Sequence, residues 1–269
     1  MTDRPVRAPR GVDITRANAA RIYDCLLGGS HNFAADREAA RAALRHLPGA
    51  RAIARANRAV MQRAVRFALG LGITQFLDIG SGIPTFGSTH EVVRAERPRA
   101  RVVYVDNDPV AVAHGRAVLA DDPYAAVAAA DLRDPVGLLR DREVRRLDFG
   151  RPVALLLVAV VHFLSDADRP AEVIAALRDA LAPGSVLVLT HATLDHGPAP
   201  EGQRAVQDVY ARTPTPLVLR SRAELRPFFQ GFDLVEPGIV SLPHWRPTEP
   251  DEPFDRAALH GLAGVGVKP

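Results

Sequence analysis

Apolar positions along this chain follow two regimes. Up to about residue 70 they recur at helical spacing, as with Ile53, Val60, Ala64 and Phe67 on one face. Thr15 reads as the cap of a first helix running to Gly28-Gly29. A second helix reads from Ala34 to Leu47, before Pro48-Gly49, and the third carries the Ile53 face. From Gln75 the pattern becomes short, continuous apolar runs: Gln75 to Ile79, Arg101 to Asp106, Val127 to Ala130, Val153 to Val160 and Ser185 to Thr190, each followed by a helical stretch. Continuous runs mark strands covered on both faces, and strand–helix alternation marks a parallel sheet. The capping box Ser221-Arg222-Ala223-Glu224 starts one more helix. The expectation is an α/β chain in two parts, residues 1–70 as a helical cap or lid and residues 71–269 as a ligand-binding α/β domain.

The first strand ends in Asp78-Ile79-Gly80-Ser81-Gly82, an acid followed by Gly-x-Gly, which is how many proteins hold a nucleoside. A dinucleotide loop wants a third glycine at the position occupied by Thr85. The loop instead continues to Gly87, and Ser88-Thr89-His90-Glu91 reads as a capping box that starts the helix late. A wide loop behind Asp78 suits a cationic, phosphate-free ligand such as S-adenosylmethionine (SAM), with Asp78, Gly80, Ser81 and Gly82 as contacts. The second strand closes on Asp106, roughly 25 residues beyond the glycines, where a carboxylate can accept from both ribose hydroxyls. Asn107 adjoins it. The alternative is that these acids only cap the next helix, a role that fits Asp108 before Pro109. At the third strand tip, Asp131 and Leu132 are candidates for the adenine, against the alternative that Asp131 merely ends the strand while Asp134 caps a helix at Pro135.

These three sites together resemble the Rossmann-like class I SAM-dependent methyltransferases. More narrowly, the chain resembles a family of actinomycete S-adenosyl methyltransferases formerly known only as a domain of unknown function. That resemblance rests on Arg21 through Arg37, Ala54-Arg55-Ala56-Asn57-Arg58, Tyr104 through Pro109 and Leu155 through Leu164. It implies a doubly wound, mostly parallel, seven-stranded sheet with an N-terminal helical extension. Phe232 to Val240 and Leu262 to Val267 would form its terminal antiparallel pair. It implies SAM as cofactor and leaves the methyl acceptor open.

On that fold the ligand lies at the carboxyl ends of the strands, so the fourth strand tip bears on the chemistry. Ala159 is assigned to the cofactor there. His162, just beyond, is the candidate catalytic residue, to orient an acceptor or take its proton, against the alternative of a histidine that anchors the loop. His191 reads as a satisfied loop histidine. Around Gly28-Gly29, Tyr23 and Asn32 are read as lid contacts to the cofactor or acceptor, beside the plainer reading of a helix C-cap followed by an N-cap. No Asn/Asp-Pro-Pro-Tyr/Phe motif follows the fourth strand, which favours a small-molecule acceptor.

Composition changes this picture little. The chain of 269 residues, 47% hydrophobic, is long enough for a large core. One cysteine, Cys25, leaves no disulfide framework, and no metal signature is present. Met1 to Gly11 reads as neither signal peptide nor membrane anchor, no apolar run approaches the roughly 20 residues of a membrane span, and the cytoplasm is the expected compartment. The net charge is only +3, and Lys268 is the sole lysine. Arginines alternate with acids, which argues against a nucleic-acid partner; Arg51, Arg55 and Arg58, near one helix face, are the exception, to be read as a solvated face or, alternatively, as a surface that meets an anionic acceptor. Oligomeric state is not legible. Two rival functions share the pattern: an NAD(P)-dependent oxidoreductase, and a SAM-binding regulatory protein without catalysis.

Overall fold

The computed structural model describes residues 13–84, 87–193, 195, 201–211, 213, 215–249 and 252–269. The expectations placed on Met1 to Gly11 and on Thr85 fall outside these residues. Three helices lead: α1 (Ala19–Leu27), α2 (Ala34–His46) and α3 (Ala50–Gly70). Then strands and helices alternate: β1 (Gln75–Ile79), α4 (Thr89–Glu96), β2 (Arg101–Asp106), α5 (Pro109–Val118), β3 (Ala125–Ala129), α6 (Pro135–Arg140), β4 (Ala154–Val158), α7 (Pro170–Ala180) and β5 (Val186–Ala192). The chain finishes with α8 (Glu201–Ala211), α9 (Arg222–Leu225), β6 (Asp233–Leu234), β7 (Val240–Ser241) and β8 (Gly261–Val267).

The sheet order is β3-β2-β1-β4-β5-β8-β6, with β7 also paired to β8. Strands β1 to β5 are parallel, and β8 runs antiparallel to β5. Eight strands stand where seven were expected, because the stretch Phe232 to Val240 breaks around Pro237-Gly238 into two short pieces that each pair with β8. Alternate side chains of the strands feed two cores. Leu77, Val103, Leu155 and Leu187 face α6 and α7. Phe76, Val102, Leu156 and Val188 face α3, α4 and Trp245. Both faces are covered, which is why the strands read as unbroken apolar runs.

Helix α3 belongs to two packings. Val60, Met61, Ala64 and Val65 lie on the sheet, whereas Ala50 and Ala54 join Ile22 and Leu26 of α1, Ala40 and Ala43 of α2, and Val206 and Tyr210 of α8 in a third core. The late helix α8 thus packs with the N-terminal helices.

Several local signals act as expected. Asp108 and Asp134 cap α5 and α6 before prolines, and the Ser221–Glu224 box caps α9. Two do not. Thr15 turns back on Asp13, its N–H and hydroxyl donating to Asp13 Oδ1 at 2.9 and 2.6 Å, and α1 starts at Ala19 under Asn18, whose Oδ1 accepts from Ala20 N at 2.8 Å. The Ser88–Glu91 box is not formed, although α4 starts where the spacing puts it: Ser88 Oγ meets His90 Nδ1 at 3.0 Å, and Glu91 accepts instead from Gly87 N at 2.8 Å.

Candidate functional site

The chain leaves β1 for β2 and β3 on one side and returns to β4 on the other, so the strand order reverses between β1 and β4. A crevice forms at the carboxyl ends there. It holds a cavity of about 260 Å³, a small-ligand size, roofed by α1, α2, α3 and α8.

The first wall is the β1 loop. Gly80 and Gly82 take φ of +69° and +62°, left-handed values that glycine adopts freely. Gly80 and Ser81 donate backbone N–H groups to Val105 O, folding the loop onto β2. A Cβ on Gly80 would overlap Val160, just past β4, so this loop and the β4 tip are in close contact. Behind it, Asp78 is buried and its Oδ2 accepts from Thr89 Oγ1 at 2.7 Å.

Asp106 stands at the β2 tip. Its Oδ2 accepts from Gly82 N at 2.7 Å and its Oδ1 from Asp108 N at 2.8 Å, so two backbone donors aim the carboxylate while each oxygen keeps a further lone pair. No cation pairs with it among the described residues. Asn107, Asp131 and Leu132 continue the wall. Asp131 is committed more than expected: Arg133 pairs with it at 2.6 Å and Asn107 Nδ2 donates to it at 3.2 Å. The Arg133 contact is the largest cause that brings its carboxyl down to about 2.

Burial raises both Asp78 and Asp106 to about 6. A carboxyl held above its unfolded value of roughly 4 stabilises the fold below that pH, and the contribution is lost as pH rises through 6. The ligand-free protein is therefore expected to lose about 1–2 kcal/mol per carboxylate between pH 5 and pH 7.5. Urea unfolding at the two pH values reads this directly; equal or greater stability at pH 7.5 would contradict the assignment.

The third wall is the β4 tip. Ala159 has φ of +55°, unusual for a residue with a Cβ, and its N–H donates to Thr190 Oγ1 at 2.8 Å. Thr190 donates to Asn57 Oδ1 at 2.6 Å, Asn57 donates to Tyr23 Oη at 2.9 Å, and Tyr23 donates to Ala54 O at 3.1 Å. Tyr23 therefore lines the cavity with its ring, its hydroxyl being spent on this chain of bonds. Asn32 does not line the cavity. Its amide donates to Asp24 Oδ2 at 2.8 Å and to Gly29 O at 2.9 Å, fixing the turn after α1, where Gly28 forms a left-handed C-cap. The α3 face contributes one arginine, Arg58, which forms no ion pair among the described residues and draws down the carboxyl of Asp78. Arg51 and Arg55 stay outside.

His162 is buried in the turn Val161–Phe163 beyond β4. Its Nδ1 accepts from Ala192 N at 3.4 Å, and burial, His191 and the Arg220 guanidinium hold its pKa well below the ordinary histidine value. A neutral ring with Nδ1 as acceptor carries its proton on Nε2. With that tautomer His162 presents an N–H. His191 has both nitrogens engaged: Nδ1 donates to Ala192 O at 2.7 Å, and Nε2 accepts from Arg220 at 3.3 Å. Sequence reading missed Asn57 and Thr190 as lining residues, and Arg220 as the partner of His191 behind them; Asn57 sits with Arg58 in one of the words that carried the family resemblance.

Known proteins share this fold. No curated protein matches the chain. A crystal structure from Thermobifida fusca YX, described as a candidate methyltransferase, is 45% identical over 97% of this chain and 98% of that one, with a TM-score of 0.90. A DUF574 family protein from Streptomyces avermitilis MA-4680 is 40% identical over 96% of this chain and 99% of that one, also at 0.90. The 1,6-didemethyltoxoflavin-N1-methyltransferase of Burkholderia thailandensis shares the fold at 18% identity, covering 78% of this chain and 79% of that one with a TM-score of 0.50. Residues 5–269 match the family model described as S-adenosyl methyltransferase. The chain therefore belongs to the S-adenosyl methyltransferase family.

Proposed function

We propose that this methyltransferase holds SAM across the tips of β1, β2 and β4 and delivers its methyl group to a small molecule seated under α1, α2 and α8. The observation that carries the reading is the meeting, in one cavity, of the Asp78–Gly82 loop, the uncompensated Asp106 carboxylate and the β4 turn with His162. Asp106 accepts from the ribose diol, and Leu132 packs on the adenine side with Asp131 at its rim. Arg58 faces the methionine carboxylate, and Asp78 favours the cationic portion through the loop. SAM supplies an electrophilic methyl on a sulfonium that departs as a neutral thioether, so the chain has chiefly to align reactants and keep water out.

The residues present suit that task. The bonds joining Ala159, Thr190, Asn57 and Tyr23 fix the β4 tip relative to the cap, and His162 offers one N–H to the acceptor. Among the described residues no helix is long and apolar enough to cross a membrane.

Two measurements test the reading. SAM and its demethylated product should raise the melting temperature while NAD(H) leaves it unchanged. Labelled SAM incubated with metabolite extracts should pass its label to a small molecule. With that acceptor in hand, His162→Ala is expected to lower kcat/KM about 10-fold, the worth of one hydrogen bond of roughly 1.4 kcal/mol, with SAM affinity unchanged within about twofold. Label appearing only in protein or nucleic acid would overturn the small-molecule assignment.

A further inference from the structure

The charges that line the cavity are unevenly placed. Asp78, Asp106, Asp131, Arg58 and Arg133 all belong to the strand tips that cradle the nucleoside or to the middle of α3. The wall formed by α1, α2, α8 and the segment after it is different: Leu26, Leu47, Phe163, Val206, Tyr210 and Leu217 line it and pack as one apolar cluster. Among the described residues no Asp, Glu, Lys or Arg of these elements reaches the cavity.

An ion placed against such a wall loses its hydration and finds no counter-charge. The buried Arg220 is already spent on Asp166 at 2.7 Å and on Leu164 O at 3.0 Å. Two features refine the occupant further. Phe163 and Tyr210 lie with ring centroids 5.6 Å apart at 36°, an aromatic pair that a flat ring can join. His162 adds a single N–H from a ring held neutral, its edge packed against Phe163.

Resting on the methyl-transfer reading above, we infer that the acceptor is an uncharged, planar, largely apolar aromatic molecule that turns one hydrogen-bond-accepting heteroatom toward His162. An anionic acceptor, which the arginines of α3 suggested from sequence, would find Arg58, the unpaired arginine lining the cavity among the described residues, on the cofactor side.

The test uses the full-length protein saturated with S-adenosylhomocysteine, whose binding is measured first by calorimetry. If that compound fails to bind, the cofactor reading fails before the acceptor question arises. Two naphthalenes that differ in charge are then compared at pH 7.5: 2-naphthol, which is neutral, and 2-naphthoate, which is anionic. Binding of 2-naphthol at least about 10-fold tighter than 2-naphthoate is expected. Leu217→Arg places a cation in the apolar wall and should reverse that order while cofactor affinity is kept; Leu219→Arg, on the same segment, serves if the first variant loses cofactor binding. Equal affinity for the two probes, tighter binding of 2-naphthoate, no binding of 2-naphthol, or an order unchanged in the arginine variants would each overturn the inference.

Discussion

Asp106→Ala is expected to lower SAM affinity at least about 100-fold, the largest effect of any single change in the cavity. Two ribose hydroxyls would lose a charged acceptor, and each such bond contributes roughly 1.5–3 kcal/mol, so about 3 kcal/mol is the minimum. The side chain also holds the loop: Gly82 N and Asp108 N would both be left without the oxygens that now accept from them. Asp106→Asn separates the two contributions. It keeps the shape, but its amide group must face one of those backbone donors, so an intermediate loss is expected. Isothermal calorimetry at pH 7.5 checks both variants. An affinity within threefold of the parent for Asp106→Ala would remove the ribose role and, with it, the placement of the cofactor.

Gly80→Ala should destabilise the protein by about 2–5 kcal/mol, combining a left-handed backbone cost of roughly 1–2 kcal/mol with overpacking of about 1–3 kcal/mol. The added Cβ has nowhere to go, because Val160 occupies its place and even the Val160 Cβ would be 2.5 Å away. For a chain of this size the melting temperature should fall by roughly 5–15 °C. Val160→Gly on the same background removes the overlap and leaves the dihedral cost, so the double variant should recover part of the loss and no more. Loss of stability in Gly80→Ala with no recovery in the double variant would show that the two strand tips are not in contact.

What the sequence made legible was local. The caps at Asp108, Asp134 and Ser221 lie within three residues of the N–H groups they satisfy, and the strands are continuous apolar runs because helices cover both faces. Where the structure departs from the local pattern, the partner is one that the pattern does not single out. Asn32 is claimed by Asp24, eight residues back, and Asn18 is held by Asp36, eighteen residues on. Thr15 has the right chemistry for a cap but meets Asp13 first. The split of Phe232 to Val240 follows the turn at Gly238, φ +83°, which a periodicity argument passes over. In the cavity, strand-tip acids and glycines were readable because their spacing is set by one strand–helix–strand unit. Thr190 and Asn57, 133 residues apart, were not, since only the closed fold brings them to 2.6 Å. The surroundings of His162 were not legible for a similar reason: its Nδ1 meets the Ala192 amide, on another strand.

The polar thread from Ala159 to Tyr23 crosses from the β4 tip to α1, and of the side chains on the apolar side of the cavity it uses that of Tyr23 alone, leaving Leu47, Val206 and Leu217 out of it. On the proposed reading, alignment of the methyl donor is thereby separated from choice of recipient: Leu47, Val206 or Leu217 could be exchanged for other shapes without breaking a bond of that thread.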